Sequence, residues 1–472
     1  MKNEVKIFTL YFAFSGLLLV PALFLCNTRV VSAEEYYVQG NTLSLDEAIR
    51  IALDNNHQVK AETHELRSRR WEVNLAKSMM LPRISLDMGY TRVDNGTVRR
   101  GNVFTEVGRE LVRQFAPDQD PNDIRPGAWA DMFSTSLSLT QPIYNGGKEF
   151  ANLSMSRALE RSASLVLLDT KGNTILQVKE RYYQTLKAAE LVRLMEETLT
   201  SSREHRHNAE KLEEAGLRSH TDVLRLEVKE SSDEGLLLDA QNGLSISKRL
   251  LEETLAVRLP PDIELAPPIE GPREPEFSLE TAISEALRKH PSLRSMDAQV
   301  DASDAGVSLA WSEFLPQVNL VYNLSWETNN TIDLDSFHFW SAGFTMRLPL
   351  FNSFGDWAEL QRSKAQLNRF RELREGTKTS VETAVTQAYL DVVSSVKKWK
   401  AAGKGEEHAT ENLKSIRKKY EVGLVAHLDL LDAQVAYTNA VTSSINALYD
   451  HYIAVARLEQ SMGQLDYRRE GL

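Results

Sequence analysis

Cysteine is almost absent: Cys26 is the only one in 472 residues. A disulfide framework is therefore excluded, and thiol chemistry has no second partner. Beyond the N-terminus no apolar run is long enough to span a bilayer as a helix. Catalytic signatures are missing as well, with no HExxH, P-loop or nucleophile motif. The ten histidines are scattered. Even Glu204-His205-Arg206-His207 sets its two histidines on different faces of a helix. No enzyme activity, cofactor or metal is expected from such a chain. A basic excess is lacking too. With 55 basic and 66 acidic residues the formal net charge is −11, which disfavours nucleic acid and anionic membrane surfaces as partners.

What the N-terminus does contain is a secretory signal pattern. Lys2 and Lys6 precede an apolar segment from Ile7 to Leu25, and Val31-Ser32-Ala33 offers small residues for cleavage before Glu34. Cleavage there removes Cys26 and leaves 55 − 3 = 52 basic and 66 − 1 = 65 acidic residues, a charge of −13. A retained anchor is the alternative that Pro21 weakens. Lipidation at Cys26 is the alternative that Leu25 weakens, since the lipoprotein peptidase wants a small residue there.

The chain also repeats itself once. Leu43-Ser44-Leu45-Asp46-Glu47-Ala48-Ile49 returns as Phe277-Ser278-Leu279-Glu280-Thr281-Ala282-Ile283, and Leu81-Pro82-Arg83-Ile84 as Leu315-Pro316-Gln317-Val318, both at an offset of 234. Further on the offset is 207: Pro142-Ile143-Tyr144-Asn145 matches Pro349-Leu350-Phe351-Asn352, and Asp222-Val223-Leu224 matches Asp429-Leu430-Leu431. One duplicated unit results, with 234 − 207 = 27 extra residues in the first copy. That insertion must lie between the copy's two strands. The expected organisation is a signal over 1–33, a first repeat over 34–258, a Pro-rich linker over 259–276, a second repeat over 277–465 and a tail over 466–472.

Each repeat carries two strands of alternating polarity. Ile84, Leu86, Met88 and Tyr90 interleave with Ser85, Asp87, Gly89 and Thr91, and Phe133, Thr135, Leu137 and Leu139 with Ser134, Ser136, Ser138 and Thr140. In the second copy Val318, Leu320, Tyr322, Leu324 and Trp326 are set against Asn319, Asn323, Ser325 and Glu327, and Trp340, Ala342, Phe344, Met346 and Leu348 against Ser341, Gly343, Thr345 and Arg347. One apolar face with aromatics near its ends, and one small polar face, is the pattern of a transmembrane barrel. A soluble sheet with one wet face is the alternative. Four strands cannot close a barrel, and open edges do not survive in lipid. If the strands span a membrane, several subunits must share one barrel. The 37 residues from Asp94 to Ala130 form an extracellular loop in that case, with a short helix near Val103 to Gln114.

Uninterrupted helical periodicity runs from Gly147 to about Gly216, roughly 100 Å, with Ile175, Val178, Tyr182, Thr185, Ala189, Val192 and Leu199 at coiled-coil spacing. Its counterpart runs from Gly355 to Tyr420, with Gly403 and Gly405 pointing to an irregularity midway. The returning helices, Thr221 to Leu255 and Leu428 to Met462, are half as long. So are those before the strands, Ser44 to Met80 and Ser278 to Phe314. Two half-length helices laid end to end match one long helix, giving a cylinder wall of uniform height.

The Leu-Pro pairs before the odd strands, the Gln141-Pro142-Ile143-Tyr144-Asn145-Gly146-Gly147 turn and the tip motifs, Ala215-Gly216-Leu217-Arg218-Ser219-His220-Thr221-Asp222-Val223-Leu224 and Tyr420-Glu421-Val422-Gly423-Leu424 through Leu428-Asp429-Leu430-Leu431-Asp432, resemble those of the TolC-like outer-membrane efflux proteins. The resemblance covers nearly all of the mature sequence. It implies an α+β membrane protein: a homotrimer whose twelve-stranded transmembrane β-barrel, four strands per subunit, continues as a long periplasmic α-helical coiled-coil barrel. It implies the outer membrane of a Gram-negative bacterium, in contact with outer-membrane lipid. The implied role is the exit duct of a tripartite efflux pump or type I secretion system, with a periplasmic adaptor and an inner-membrane transporter as partners. A periplasmic coiled-coil adaptor or scaffold without a pore is the alternative.

At the tips, Gly216 and Gly423 follow the long helices as C-terminal caps and permit a tight turn. Leu217 and Leu424 are then placed for apolar contact with an adaptor, or only seal the hairpin locally. The resemblance implies that Asp429 and Asp432 ring the periplasmic entrance. Three residues apart on a helix, they share a face, and such rings select cations. It further implies that Thr221, Asp222 and Tyr420 latch neighbouring tip helices. The basic partner expected at Val425 is missing, and Arg218 is its candidate substitute. Solvated or capping carboxylates are the plainer reading.

Overall fold

The computed structural model describes residues 42–121, 129–216, 219–269, 271–328, 338–422 and 424–463. The signal segment, Leu217, Arg218, Gly423, the short loop at 329–335 and the C-terminal tail lie outside the described residues.

The first repeat opens with β1 (Thr42–Leu43), α1 (Leu45–Asn55) and α2 (His57–Ser78). Strand β2 (Arg83–Arg92), helices α3 (Asn95–Gly101) and α4 (Val103–Phe115) and strand β3 (Asp131–Asn145) follow. Helix α5 (Lys148–Glu214) then runs the length of the molecule and α6 (His220–Leu255) returns. The linker contributes β4 (Glu264–Leu265), paired parallel to β1. The second repeat comprises α7 (Leu279–Lys289), α8 (Pro291–Ser312), β5 (Gln317–Thr328), β6 (His338–Arg347), α9 (Gly355–Glu421) and α10 (His427–Ser461). Helices α5 and α9 have 67 residues each, about 100 Å at 1.5 Å per residue. The extra residues of the first copy lie between its strands as expected, with α3 and α4 in the β2–β3 connection.

The four long strands form one antiparallel sheet in the order β2-β3-β5-β6. The hairpin registers of the two repeats are identical. Arg83 faces Thr140 and Arg92 faces Asp131 in the first; Gln317 faces Arg347 and Trp326 faces His338 in the second. Tyr90 and Phe133 lie ring to ring at 4.9 Å at one end of the sheet, where aromatics anchor barrels to the headgroup layer.

Two expectations need correction. Helix α9 passes through Gly403 and Gly405 without a break, because i→i−4 bonding on both sides tolerates an isolated glycine at a cost of about 1 kcal/mol. The helices before the odd strands are each divided in two. Asn56 ends α1 with ψ 127°, and its Oδ1 accepts from the backbone N–H of Gln58 at 2.8 Å and Val59 at 3.3 Å. Its Nδ2 donates to the Thr254 carbonyl at 3.1 Å, so one side chain starts α2 and meets the end of α6. That contact is the end-to-end junction of the two half-length helices. His290 has the same place in the second copy, and there Pro291 opens α8. Pro lacks the N–H that a continuing helix needs, and its fixed φ suits a first turn.

The principal core lies at mid-height. Leu43, Ile51, Val178, Tyr182, Leu251, Leu255 and Tyr449 are buried together, where the α1–α2 break, the α6 end and the linker meet α5. The Tyr182 hydroxyl donates toward the carbonyls of Leu43 at 2.8 Å and Ala266 at 2.9 Å. In the second repeat Tyr389 donates to the Phe277 carbonyl at 3.1 Å. Burial pushes the Tyr182 hydroxyl up to about 12, so it remains a donor. Between the repeats, Lys179–Glu459, Arg457–Glu180 and Lys187–Asp450 pair α5 with α10.

Candidate functional site

The hairpin tips gather most of the residues marked by the sequence. Helix α5 ends at Glu214 with Ala215 as its cap, and Gly216 takes the left-handed conformation, φ 70°, its N–H donating to the Glu213 carbonyl at 2.8 Å. No neighbouring atom lies within 4 Å of a Cβ placed there, so the backbone angle rather than crowding selects glycine. The second tip is closed differently: the Leu424 N–H reaches back to the Lys419 carbonyl at 2.8 Å, the longer C-terminal bond that seals a helix end. Leu424 itself is 74% exposed.

The return helices start with a shared device. Asp222 and Asp429 are both the third helical residue, after Ser219 and Ala426 as N-caps. Ser219 Oγ donates to Asp222 Oδ2 at 3.0 Å. Ala426 has no side-chain oxygen, and here the Asp429 carboxylate accepts its backbone N–H at 2.9 Å. A carboxylate in a first turn also faces the positive end of the helix dipole. Asp432 is exposed on the same flank as Asp429, while Leu430 and Ala433 between and beyond them are buried. Thr221 is exposed at the start of α6.

Across each tip a histidine meets the end of the long helix. His220 Nδ1 lies 2.9 Å from Glu213 Oε1, and His427 Nδ1 lies 3.2 Å from the Tyr420 hydroxyl. These four residues are related by the 207 offset, so the contact is duplicated while the partner of the imidazole has changed from a carboxylate to a phenol. Sequence reading missed this closure. The signal was the matching seven-residue separation in both copies. Within its own chain, then, Tyr420 serves the hairpin that carries it, and Asp222 serves its helix start.

Above the tip, α5 and α6 are stitched by Arg203 and Arg206 to Glu230. The carboxylate of Asp233, 1% exposed, receives Ser202 Oγ and Lys229 Nζ. Paired in this way, the buried charge avoids the several kcal/mol that an unpartnered one costs. Arg417 and Glu204 join α9 to α5 at 3.8 Å. Among the described residues there is no group of ligating side chains arranged to hold a metal.

A sequence model described as Outer membrane efflux protein matches residues 48–256 and 282–464. The chain belongs to the outer membrane efflux protein family. Protein CyaE of Bordetella pertussis is 25% identical over 404 residues, 84% of this chain and 79% of CyaE. Alkaline protease secretion protein AprF of Pseudomonas aeruginosa is 24% identical over 450 residues, 90% of this chain and 85% of AprF. The fold of the Campylobacter jejuni CmeC outer membrane channel superposes with a TM-score of 0.75 at 16% identity, covering 89% of this chain and 85% of CmeC. This efflux protein is thus an outer-membrane channel, an exit duct with an α+β fold and a large periplasmic helical portion.

Proposed function

We propose that three copies of this efflux protein close one twelve-stranded duct, fed from the periplasm through the hairpin tips by an adaptor and an inner-membrane transporter. The observation that carries the reading is the sheet itself: β2 and β6 are both unpaired edges in one chain and exposed along their whole length. An open edge in hydrocarbon leaves a row of backbone groups unsatisfied, at several kcal/mol each. Copies joined edge to edge remove the cost. The tip acids then form the entrance: Asp429 and Asp432 line it and select cations, Thr221, Asp222, Tyr420 and Arg218 hold neighbouring hairpins, and Gly216, Leu217, Gly423 and Leu424 meet the adaptor. The name of AprF, an alkaline protease secretion protein, supports protein secretion as one setting, and that of TtgC, a probable efflux pump outer membrane protein, supports efflux as another.

Native mass measurement of protein extracted from outer membranes, with planar-bilayer recording of the same sample, tests this. A trimer with a cation-selective conductance is expected. A monomer, or a trimer that never conducts, overturns the duct.

A further inference from the structure

The duplication fixes how one subunit meets the next, residue by residue. Within the chain, β3 of the first repeat pairs with β5 of the second, with Leu137 opposite Leu324, Leu139 opposite Tyr322 and Thr140 opposite Val321. The repeats are structurally equivalent strand for strand: β6 (His338–Arg347) is Asp131–Thr140 shifted by 207, β2 (Arg83–Arg92) is Gln317–Trp326 shifted back by 234, and both hairpins keep one register. In a closed ring the junction from second repeat to next first repeat replaces the junction from first to second. Applying the offsets to the observed β3–β5 register therefore yields the register between β6 and the β2 of a neighbouring copy.

On this basis we infer that subunits join with Arg347 of one copy opposite Asp87 of the next, forming an interchain ion pair on the lumenal face of the seam. Thr140 + 207 gives Arg347, and Val321 − 234 gives Asp87. The same shifts set Phe344 opposite Tyr90 and Met346 opposite Met88, so at these two positions the lipid-facing side of the seam is apolar. Residues directly opposite in an antiparallel pair share a face, and Asp87 and Arg347 both belong to the polar sets of their strands. Among the described residues neither makes an ion pair; Asp87 accepts from Ser85 Oγ at 3.1 Å. The corresponding positions inside the chain, Thr140 and Val321, carry no charge. The subunit seam alone has this pair, and a slip of two residues would separate the charges and set Arg347 opposite Ser85 or Gly89. A salt bridge specifies register here, as opposite charges on facing strands do elsewhere.

This inference rests on the trimeric reading, and one experiment separates the two. Arg347→Cys is combined in turn with Ser85→Cys, Asp87→Cys and Gly89→Cys in the full chain. Products in outer membranes are resolved without reductant, while subunit number is measured on reduced samples. Oxidation is expected to convert the 347/87 variant to covalent multimers and to leave most of the 347/85 and 347/89 variants as monomers. The charge swap Asp87→Arg with Arg347→Asp is expected to recover the trimer yield that either single change lowers. Strongest crosslinking at 85 or 89, or trimers without any crosslink, overturns the register while leaving the trimer standing. Absence of trimers from the unsubstituted chain removes the trimeric reading and this inference with it.

Discussion

Gly147 and Phe354 hold the same position in the two repeats and the same left-handed backbone, φ 82° and 63°. The residues before them, Gly146 and Ser353, are left-handed as well, φ 63° and 47°. Two successive positive-φ residues turn the chain from barrel strand into long helix. In the first copy glycine accepts this freely; in the second, side chains hold it at roughly 1–2 kcal/mol per residue. Phe354 is exposed and packs edge to face on Phe351 at 5.3 Å.

Gly146→Ala is expected to destabilise more than Gly147→Ala. A Cβ on Gly146 would sit 2.5 Å from the Ser312 carbonyl oxygen, whereas one on Gly147 meets nothing within 4 Å. Backbone angle alone costs Gly147→Ala about 1 kcal/mol, and the clash adds to it at Gly146. Thermal unfolding followed by circular dichroism ranks the two. Equal losses would mean that the turn shifts to accept either side chain.

Tyr182→Phe should lower stability by about 1–3 kcal/mol, because it leaves the Ala266 carbonyl without the hydroxyl donor in the core, while the Leu43 carbonyl keeps the Ala266 N–H at 3.0 Å. Tyr389→Phe, which releases the Phe277 carbonyl at a half-buried site, should cost less than the change at fully buried Tyr182. Chemical denaturation of the detergent-solubilised protein measures both, and a larger loss at Tyr389 would refute the ranking.

Acid should weaken the helix break that opens α8. Burial lowers the His290 pKa, with Asp169 opposing the shift, and burial likewise lowers His451. A histidine whose folded pKa lies below its unfolded value of about 6.5 gives its full stability above that value, and loses it as pH falls toward the folded pKa. His290 Nδ1 also accepts the Ser292 N–H at 3.3 Å, so a proton there removes the α8 cap. His290→Asn, the residue of the first repeat, should flatten the decline in melting temperature between pH 7 and 5. An unchanged slope in His290→Asn would assign the acid sensitivity to another group.

At the tip, changing Asp429 and Asp432 together to Ala should weaken cation preference and divalent-cation block in bilayer recordings. Asp429→Ala should in addition loosen the start of α10 by about 1 kcal/mol, since it gives up the Ala426 N–H; Asp432→Ala should not. Selectivity that survives both changes would place the gate elsewhere. Gly216→Val forces a β-branched residue to φ 70° and should impair adaptor binding in pull-downs while trimers still assemble. Loss of trimers would assign Gly216 to the fold instead.

Alternation of polarity, the long 3–4 periodicity and the constant offsets 234 and 207 determined by themselves the four strands, the two long helices and the position of the insertion. These are local or translational properties, carried by residue order alone. The expected helix from Ser278 to Phe314 runs through Pro291, although a proline there can mark the break before α8; its counterpart Asn56 gives no such mark, since an asparagine stops a helix only where its side chain finds both the next turn and the Thr254 carbonyl. Asp429, Asp432, Tyr420 and Asp222 stood out as a tip cluster, yet only tertiary structure turned Tyr420 toward His427 and gave Asp429 the Ala426 N–H. The reason is geometric: which of several polar neighbours a side chain meets depends on the path of the turn between helices. Register across β3 and β5 was likewise undecided until the strands were paired, because alternation fixes which face a residue takes but leaves every two-residue slip equivalent.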